Sequence, residues 1–180
     1  MHEKMQNQNL RRHCYAVEVV MRALARNFGQ NEKKWGIAGL LHDADYELTK
    51  DKEPKKNHTK HILKWLKELE KDTDIYDTVA AHAWGFVDGA PQPKTKMQWA
   101  LYCGDELTGL IVAVALVRPD KRLASVTVDS IIKKWNSKSF AAGVDREQIE
   151  ECKPRLGIEL RQFVQIALEA MQGISKDLGL

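Results

Sequence analysis

The stretch WGIAGLLHDADYE, residues 35–47, governs the structure expected of this chain. Its first seven residues are apolar or glycine, which predicts a buried helix, and Asn31 stands where an N-cap residue is expected. His42 and Asp43 follow directly after this run. Neighbouring residues of a helix point about 100° apart, so these two side chains can face one ion only where the helix ends or kinks.

Two further polar residues stand in apolar segments on either side of this stretch. His13 lies in the segment 10–28, whose apolar residues recur at helical spacing, and Asp105 lies within the apolar segment 95–117. A lone histidine such as His13 more often forms a core hydrogen bond than binds a metal. A buried carboxylate without a cation is costly, so Asp105 is expected to meet one. Two imidazoles and two carboxylates could hold a divalent metal with positions left open for water and substrate.

The composition predicts a single globular domain with an all-α fold. With 180 residues, of which 43% are hydrophobic and 29% charged, the chain can build one ordinary core and is short for two. We therefore expect residues 1–180 to form one domain. Further helices are expected with Asp129 and Asp145 as N-caps, and over residues 157–171. Only the run SVTV, residues 125–128, has the composition of a strand.

Several features predict a cytoplasmic protein. The apolar segment 95–117 is expected to be a core helix and not a membrane span, because Asp105 and Glu106 lie near its middle. Residues 1–14 are polar and charged, so no secretory signal is expected. Three widely spaced cysteines without a CxxC pair favour reduced thiols. The net charge of +3 is small for a protein that tracks phosphates, so nucleic acid is not an expected partner.

The order of the polar residues resembles that of the HD-domain superfamily of metal-dependent phosphohydrolases. His13 opens the first helix, the doublet stands in AGLLHDADYE at 38–47, and the later aspartate stands in YCGDELTGLI at 102–111. The resemblance covers about residues 9–118, which would form the HD core, with residues 119–180 packed on it as a helical extension. It implies a helical bundle with four metal ligands: His13, His42, Asp43 and Asp105.

Some members of this superfamily bind a second ion through two additional histidines between the doublet and the final aspartate. His58 and His82 fall in this interval. His61 is an alternative to His58, because residues three apart share a helix face. With two ions, Asp43 would offer one oxygen to each. The resemblance thus implies one or two divalent ions, and this ligand chemistry leaves Mn, Fe, Co, Ni, Zn and Mg open.

The residues after the doublet depart from the family, which often has Glu or Gly-Lys there. This chain reads Ala44-Asp45-Tyr46-Glu47, and the departure leaves the substrate open. Asp43 and Asp45 are the predicted catalytic residues. For Asp45 the alternatives are acid–base or supporting work beside the metal and the capping of a helix.

A basic region lies between residues 118 and 146. Lys134 and Arg146 are the predicted phosphate-binding residues, and the alternative is an ordinary solvated surface. The region contains Arg118, Lys121, Arg122, Lys133, Lys134, Lys138 and Arg146.

The residues and the resemblance together predict a metal-dependent phosphohydrolase. A metal-activated water would attack a nucleotide or another small phosphorylated substrate. The alternatives are an HD-fold di-iron oxygenase and a non-catalytic module that binds a nucleotide or regulates a partner. The sequence leaves open whether the chain forms a homodimer.

Overall fold

Helices make up all regular secondary structure in the residues that the structure describes, which are 3–51, 53–69, 72–137 and 139–180 of a computed structural model. The predicted all-α class is therefore confirmed. The helices are α1 (Gln8–Asn27), α2 (Glu32–Leu41), α3 (Tyr46–Thr49), α4 (Pro54–Asn57), α5 (Lys60–Glu68), α6 (Thr73–His82), α7 (Lys96–Leu116), α8 (Val128–Trp135), α9 (Arg146–Glu150), α10 (Leu160–Gln172) and α11 (Ser175–Leu178). A 3-10 turn at Leu123–Ser125 and a π-helical turn at Cys152–Leu156 complete the described elements.

The central element is α7, and it packs against α1, α6, α8, α9 and α10. It begins in a capping box, in which Thr95 accepts from the N–H of Gln98 and the Gln98 side chain accepts from the N–H of Thr95. By length and composition α7 could cross a membrane, but 67% of its most apolar window is buried within the fold. It is therefore the core helix that the sequence predicts.

The helices α1 and α2 pack closely because Gly39 has no side chain. A Cβ at Gly39 would lie 2.9 Å from the carbonyl oxygen of Val17 and 3.0 Å from Cγ of Met21. This close approach fixes the end of α2, and so the position of the His42-Asp43 doublet, against the middle of α1.

The residues after Pro119 share the hydrophobic core of the preceding ones. Helix α10 packs against α1 and α7, and α9 packs against α7. Phe163 and Val164 of α10 are fully buried in the same cluster as Val20 of α1.

Three details of the C-terminal part differ from the sequence expectations. Helix α8 begins after Thr127, whose hydroxyl accepts from the N–H of Ser130, whereas Asp129 lies in its first turn. The run 125–128 forms no strand and leads into this cap. Gly157, at φ 69°, ends the π-helical turn, so α10 starts only at Leu160.

The space around each glycine predicts that alanine destabilises the fold at Gly39 and does not destabilise it at Gly109. Gly39→Ala should lower the free energy of unfolding by about 1–3 kcal/mol, because backbone of α1 blocks the new methyl group. Gly109→Ala in α7 is the matched control, since its Cβ would meet only Val144 Cγ2 at 3.7 Å. The control should be neutral or up to about 1 kcal/mol more stable, because alanine favours a helix. Chemical denaturation measures both, and equal stability of the two variants would contradict the packing described.

Candidate metal centre

Six side chains from five parts of the chain converge on one point. They come from α1, from the turn after α2, from the link between α4 and α5, from the end of α6 and from the middle of α7. The six are His13, His42, Asp43, His58, His82 and Asp105, and overlapping groups of three place potential ligand atoms within 4.8 Å of one another.

The first part of the cluster joins α1, α2 and α7. His13 Nε2 lies 2.9 Å from Asp105 Oδ1 and 3.7 Å from Asp43 Oδ2. His42 Nε2 lies 3.4 Å from Asp105 Oδ1 and 3.3 Å from His13 Nε2. Two imidazoles and two carboxylates thus face one another, as the sequence predicted for these four residues.

The second part of the cluster lies on the other side of Asp43. His58 Nε2 is 3.2 Å and His82 Nε2 is 3.5 Å from Asp43 Oδ1, and the two nitrogens are 3.1 Å apart. Asp43 Oδ1 faces this pair and also His42 Nε2, at 3.6 Å, while Oδ2 faces His13, so the carboxylate lies between the two parts of the cluster.

His42 and Asp43 lie just beyond the end of a helix, where neighbouring side chains are not forced to point about 100° apart. Helix α2 ends at Leu41, and residues 42–45 form a turn. His42 is fully buried, whereas Asp43 lines a cavity. Because the helix has ended, both side chains can point to the same cluster.

Hydrogen bonds orient the imidazoles so that Nε2 faces the cluster. His42 Nδ1 donates to the carbonyl of Gly39 at 2.7 Å, and His82 Nδ1 donates to that of Val79 at 2.5 Å. Each ring in its neutral form therefore carries the Nε2 lone pair toward the centre, as metal-binding histidines do.

The Thr108 hydroxyl orients His13 so that its Nε2 also faces the cluster. The Thr108 hydroxyl, which is fully buried, donates to the carbonyl of Asp105 at 2.8 Å and lies 3.3 Å from His13 Nδ1. Since the hydroxyl proton is used by the carbonyl, the oxygen accepts from Nδ1–H. His13 Nε2 is thereby left free to bind.

Positive charge would stabilise the cluster, because it contains two largely buried carboxylates. Burial would raise the pKa of Asp43 and of Asp105, but the facing His42 and its neighbours hold both pKa values below the usual range. Burial would lower the pKa of His42, but Asp43 and Asp105 raise it to about 9. Burial lowers the pKa of His82. Protons can supply this charge, and a divalent cation would displace them, so the donor set fits a metal.

Asp45 is the cap of α5 and not a residue of the cavity. Its fully buried carboxylate accepts from the backbone N–H groups of Thr59 at 3.3 Å, His61 at 3.0 Å and Ile62 at 3.2 Å. The structure therefore shows the capping role of Asp45, and its contact with His58 adds a supporting role beside the cluster. Direct catalysis has no geometric support, because the carboxylate is enclosed and committed to backbone donors.

The same cap decides between the two histidines near the start of α5. Asp45 Oδ1 lies 3.3 Å from Nδ1 of His58 and thus helps to place this ring in the cluster. His61 is exposed, and its ring lies beside Trp65 at a centroid distance of 6.2 Å. The structure therefore brings His58, and not His61, to the centre.

The two residues predicted to bind phosphate do not reach this site. Arg146 donates to the carbonyls of Phe140 at 2.6 Å, Val144 at 3.3 Å and Ser137 at 3.4 Å, so its guanidinium holds a loop together. The Lys134 ammonium lies over the ring of Phe140, 5.0 Å from its centroid. Neither residue lines the cavity. Lys138, from the same basic region, lies outside the described residues.

A cavity of about 590 Å³ opens in front of the cluster. Sequence reasoning missed the residues that shape it beyond the metal-binding set, because they lie far apart in the chain. Glu106 offered one signal, a second carboxylate beside Asp105 in an apolar helix; burial and Asp105 raise the pKa of Glu106 to about 7. The other polar or aromatic residues of this wall are Tyr46, Trp84, Phe86, Tyr102, Asp145 and Gln148.

The fold and the cluster define an all-helical protein with a histidine–aspartate centre that could hold a metal. Residues 10–101, just over half of the chain, match the HD domain, and the chain belongs to this family. No curated protein matches the chain. The match ends four residues before Asp105, so the assignment of this carboxylate rests on its 2.9 Å distance from His13.

The contacts of Asp45 predict that Asp45→Asn weakens both the cap of α5 and metal binding on the His58 side of the cluster. Asparagine keeps the size but has one oxygen in place of two, so part of the cap is lost. The free energy of unfolding should fall by about 1–2 kcal/mol. Metal affinity should fall on the His58 side, and calorimetric titration with Mn²⁺ should then show a weaker second binding event. Asp72→Asn at the exposed cap of α6 is the control, and an unchanged second event in Asp45→Asn would refute this positioning role.

Proposed function

We propose that the protein is a metal-dependent phosphohydrolase that acts on a nucleotide or another small phosphoester. The observation that carries the proposal is the convergence of four imidazole Nε2 atoms and two carboxylates at the floor of an open cavity. Membership of the HD domain family supports it, because metal-dependent phosphohydrolases are common in that family.

The cluster can be assigned to two ligand sets that share Asp43, although His42, His82 and Asp105 also form a close group of their own. His13, His42 and Asp105 would hold one ion with it, and His58 and His82 would hold a second. Bound divalent ions would supply charge neutralisation at the phosphoryl oxygens and a coordinated water of lowered pKa.

The chain itself supplies orientation and enclosure. The Nδ1 hydrogen bonds of His42 and His82 keep their Nε2 atoms directed at the centre. The cavity volume of about 590 Å³ suits a small organic phosphate. The walls exclude bulk water from one side of the cluster, which strengthens electrostatic stabilisation of a charged transition state.

The direct test is a phosphatase screen with the Mn²⁺-loaded protein. Nucleotides and generic phosphoesters should include at least one substrate, and Asp43→Asn should lower its kcat/KM more than about a hundredfold, since Asp43 serves both ligand sets. Asp177→Asn, at an exposed position near the C-terminus, should leave activity unchanged. Turnover equal in the wild type and in Asp43→Asn would contradict the proposal.

A di-iron oxygenase is the second candidate, and the presence of both His58 and His82 favours it. These residues complete a cluster of four histidines and two aspartates, which would suit a pair of iron ions. Oxygen consumption by the iron-loaded protein, together with no turnover of any phosphoester, would favour this reaction over hydrolysis.

A further inference from the structure

The cavity wall has an unusual chemistry for a phosphate site. Beyond the metal-binding residues it presents two more carboxylates, Glu106 and Asp145, and four aromatic side chains. None of the described lysines and arginines lines it. The aromatic residues are Tyr46, Trp84, Phe86 and Tyr102.

The lack of described basic residues limits how much negative charge a substrate can bring. One phosphoryl group could be neutralised at the metal centre, but further phosphates would lie against carboxylates. Nucleotide di- and triphosphates are usually bound with additional Arg or Lys contacts. Arg146 was predicted to bind phosphate and follows the cavity residue Asp145 in the chain, but its guanidinium donates to the carbonyl of Phe140. The cavity thus disfavours polyphosphates.

The two additional carboxylates lie together and lack a cationic partner. Glu106 Oε2 accepts from the backbone N–H of Asp145 at 2.9 Å, which joins α7 to the start of α9. Asp145 Oδ1 accepts from the backbone N–H groups of Glu147 and Gln148. Neither carboxylate forms an ion pair with any residue in the described ranges. Asp145 is exposed, whereas Glu106 is half-buried, and a half-buried carboxylate is stabilised by a cation.

Aromatic side chains line the same cavity as these carboxylates. The rings of Trp84 and Tyr102 lie 5.6 Å apart at an interplanar angle of 48°, and both line the cavity. Phe86 is 40% exposed, although phenylalanine is usually buried. Aromatic faces combined with carboxylates are the environment that binds ammonium groups, through cation–π and Coulomb attraction.

We infer that the substrate of this site is a phosphomonoester of an amino alcohol, with one phosphoryl group and one protonated or quaternary amine. This inference rests on the proposed phosphohydrolase function. The phosphoryl group lies at the metal centre, and the ammonium group lies between Glu106 and the rings of Trp84 and Tyr102.

The reaction is a simple hydrolysis with the amine unchanged. The oxygen of water forms a bond to phosphorus, and the bond from phosphorus to the alcohol oxygen breaks. The alcohol oxygen keeps the bonding electron pair and takes up a proton that originates from the attacking water. The products are inorganic phosphate and the free amino alcohol.

The test compares two substrates that differ only in charge. Phosphocholine and 3,3-dimethylbutyl phosphate have the same shape, but the second has a neutral carbon in place of the quaternary nitrogen. The Mn²⁺-loaded protein should hydrolyse phosphocholine with a kcat/KM at least about tenfold higher. Adenosine triphosphate should be a poorer substrate than either. Equal rates for the matched pair, or a preference for the triphosphate, would overturn the inference.

A charge-removing variant tests the assigned residues. Glu106→Gln should lower the ratio of kcat/KM for phosphocholine to kcat/KM for 3,3-dimethylbutyl phosphate to about one. Glu147→Gln is the matched control, because Glu147 is an exposed glutamate of α9 that does not line the cavity. A Glu106→Gln variant that keeps the full preference would contradict the assignment.

A binding measurement separates this inference from the proposed function. If no phosphoester is turned over, the phosphohydrolase proposal fails, but calorimetry with the two probes still decides the cavity's preference. Tighter binding of phosphocholine, lost in Glu106→Gln, supports an ammonium site. Equal binding of the two probes refutes it.

Discussion

Two carboxylates and four imidazole nitrogens face one another at 2.9 to 3.7 Å, and this crowding is the constraint on which the site depends. The backbone and hydroxyl partners of His13, His42 and His82 direct lone pairs inward. Lone pairs and negative charge at such distances repel unless a cation lies among them. Protons or metal ions can supply this positive charge. The packing of the helices holds the six side chains together against their repulsion.

Much of this packing is concentrated where helices end. The close contact at Gly39 sets the end of α2 against α1, and the doublet turns into the cluster just beyond it. Asp45 then accepts from backbone N–H groups fourteen and more residues away, at the start of α5, and its Oδ1 lies beside His58 Nδ1. Two residues that hold the cluster in place, Gly39 and Asp45, therefore lie next to the doublet in sequence, although the ligands come from distant parts of the chain.

The sequence pattern predicted the all-α class, and the pattern together with the resemblance to the HD superfamily predicted the six residues that meet in the cluster, with His61 left as an alternative to His58. Their types and order carry a strong signal, because histidine and aspartate are rare in apolar helical segments and need a partner there. The role of Asp45 was left open, since capping across fourteen residues depends on how two turns pack. Arg146 and Lys134 lie away from the cavity, which the sequence could not show, because charge composition shows only that a region is basic. Nothing in it shows that Arg146 binds loop carbonyls or that Lys134 lies over Phe140.

The most direct measurement of the central claim is the metal content and position in the purified protein. Anomalous diffraction from crystals grown with Mn²⁺ should show density between His13, Asp105 and Asp43, and a second peak beside His58 and His82. Asp43→Asn should lose both. A map without anomalous density in the cluster, from protein whose metal analysis also shows no bound ion at saturating Mn²⁺, would contradict the account.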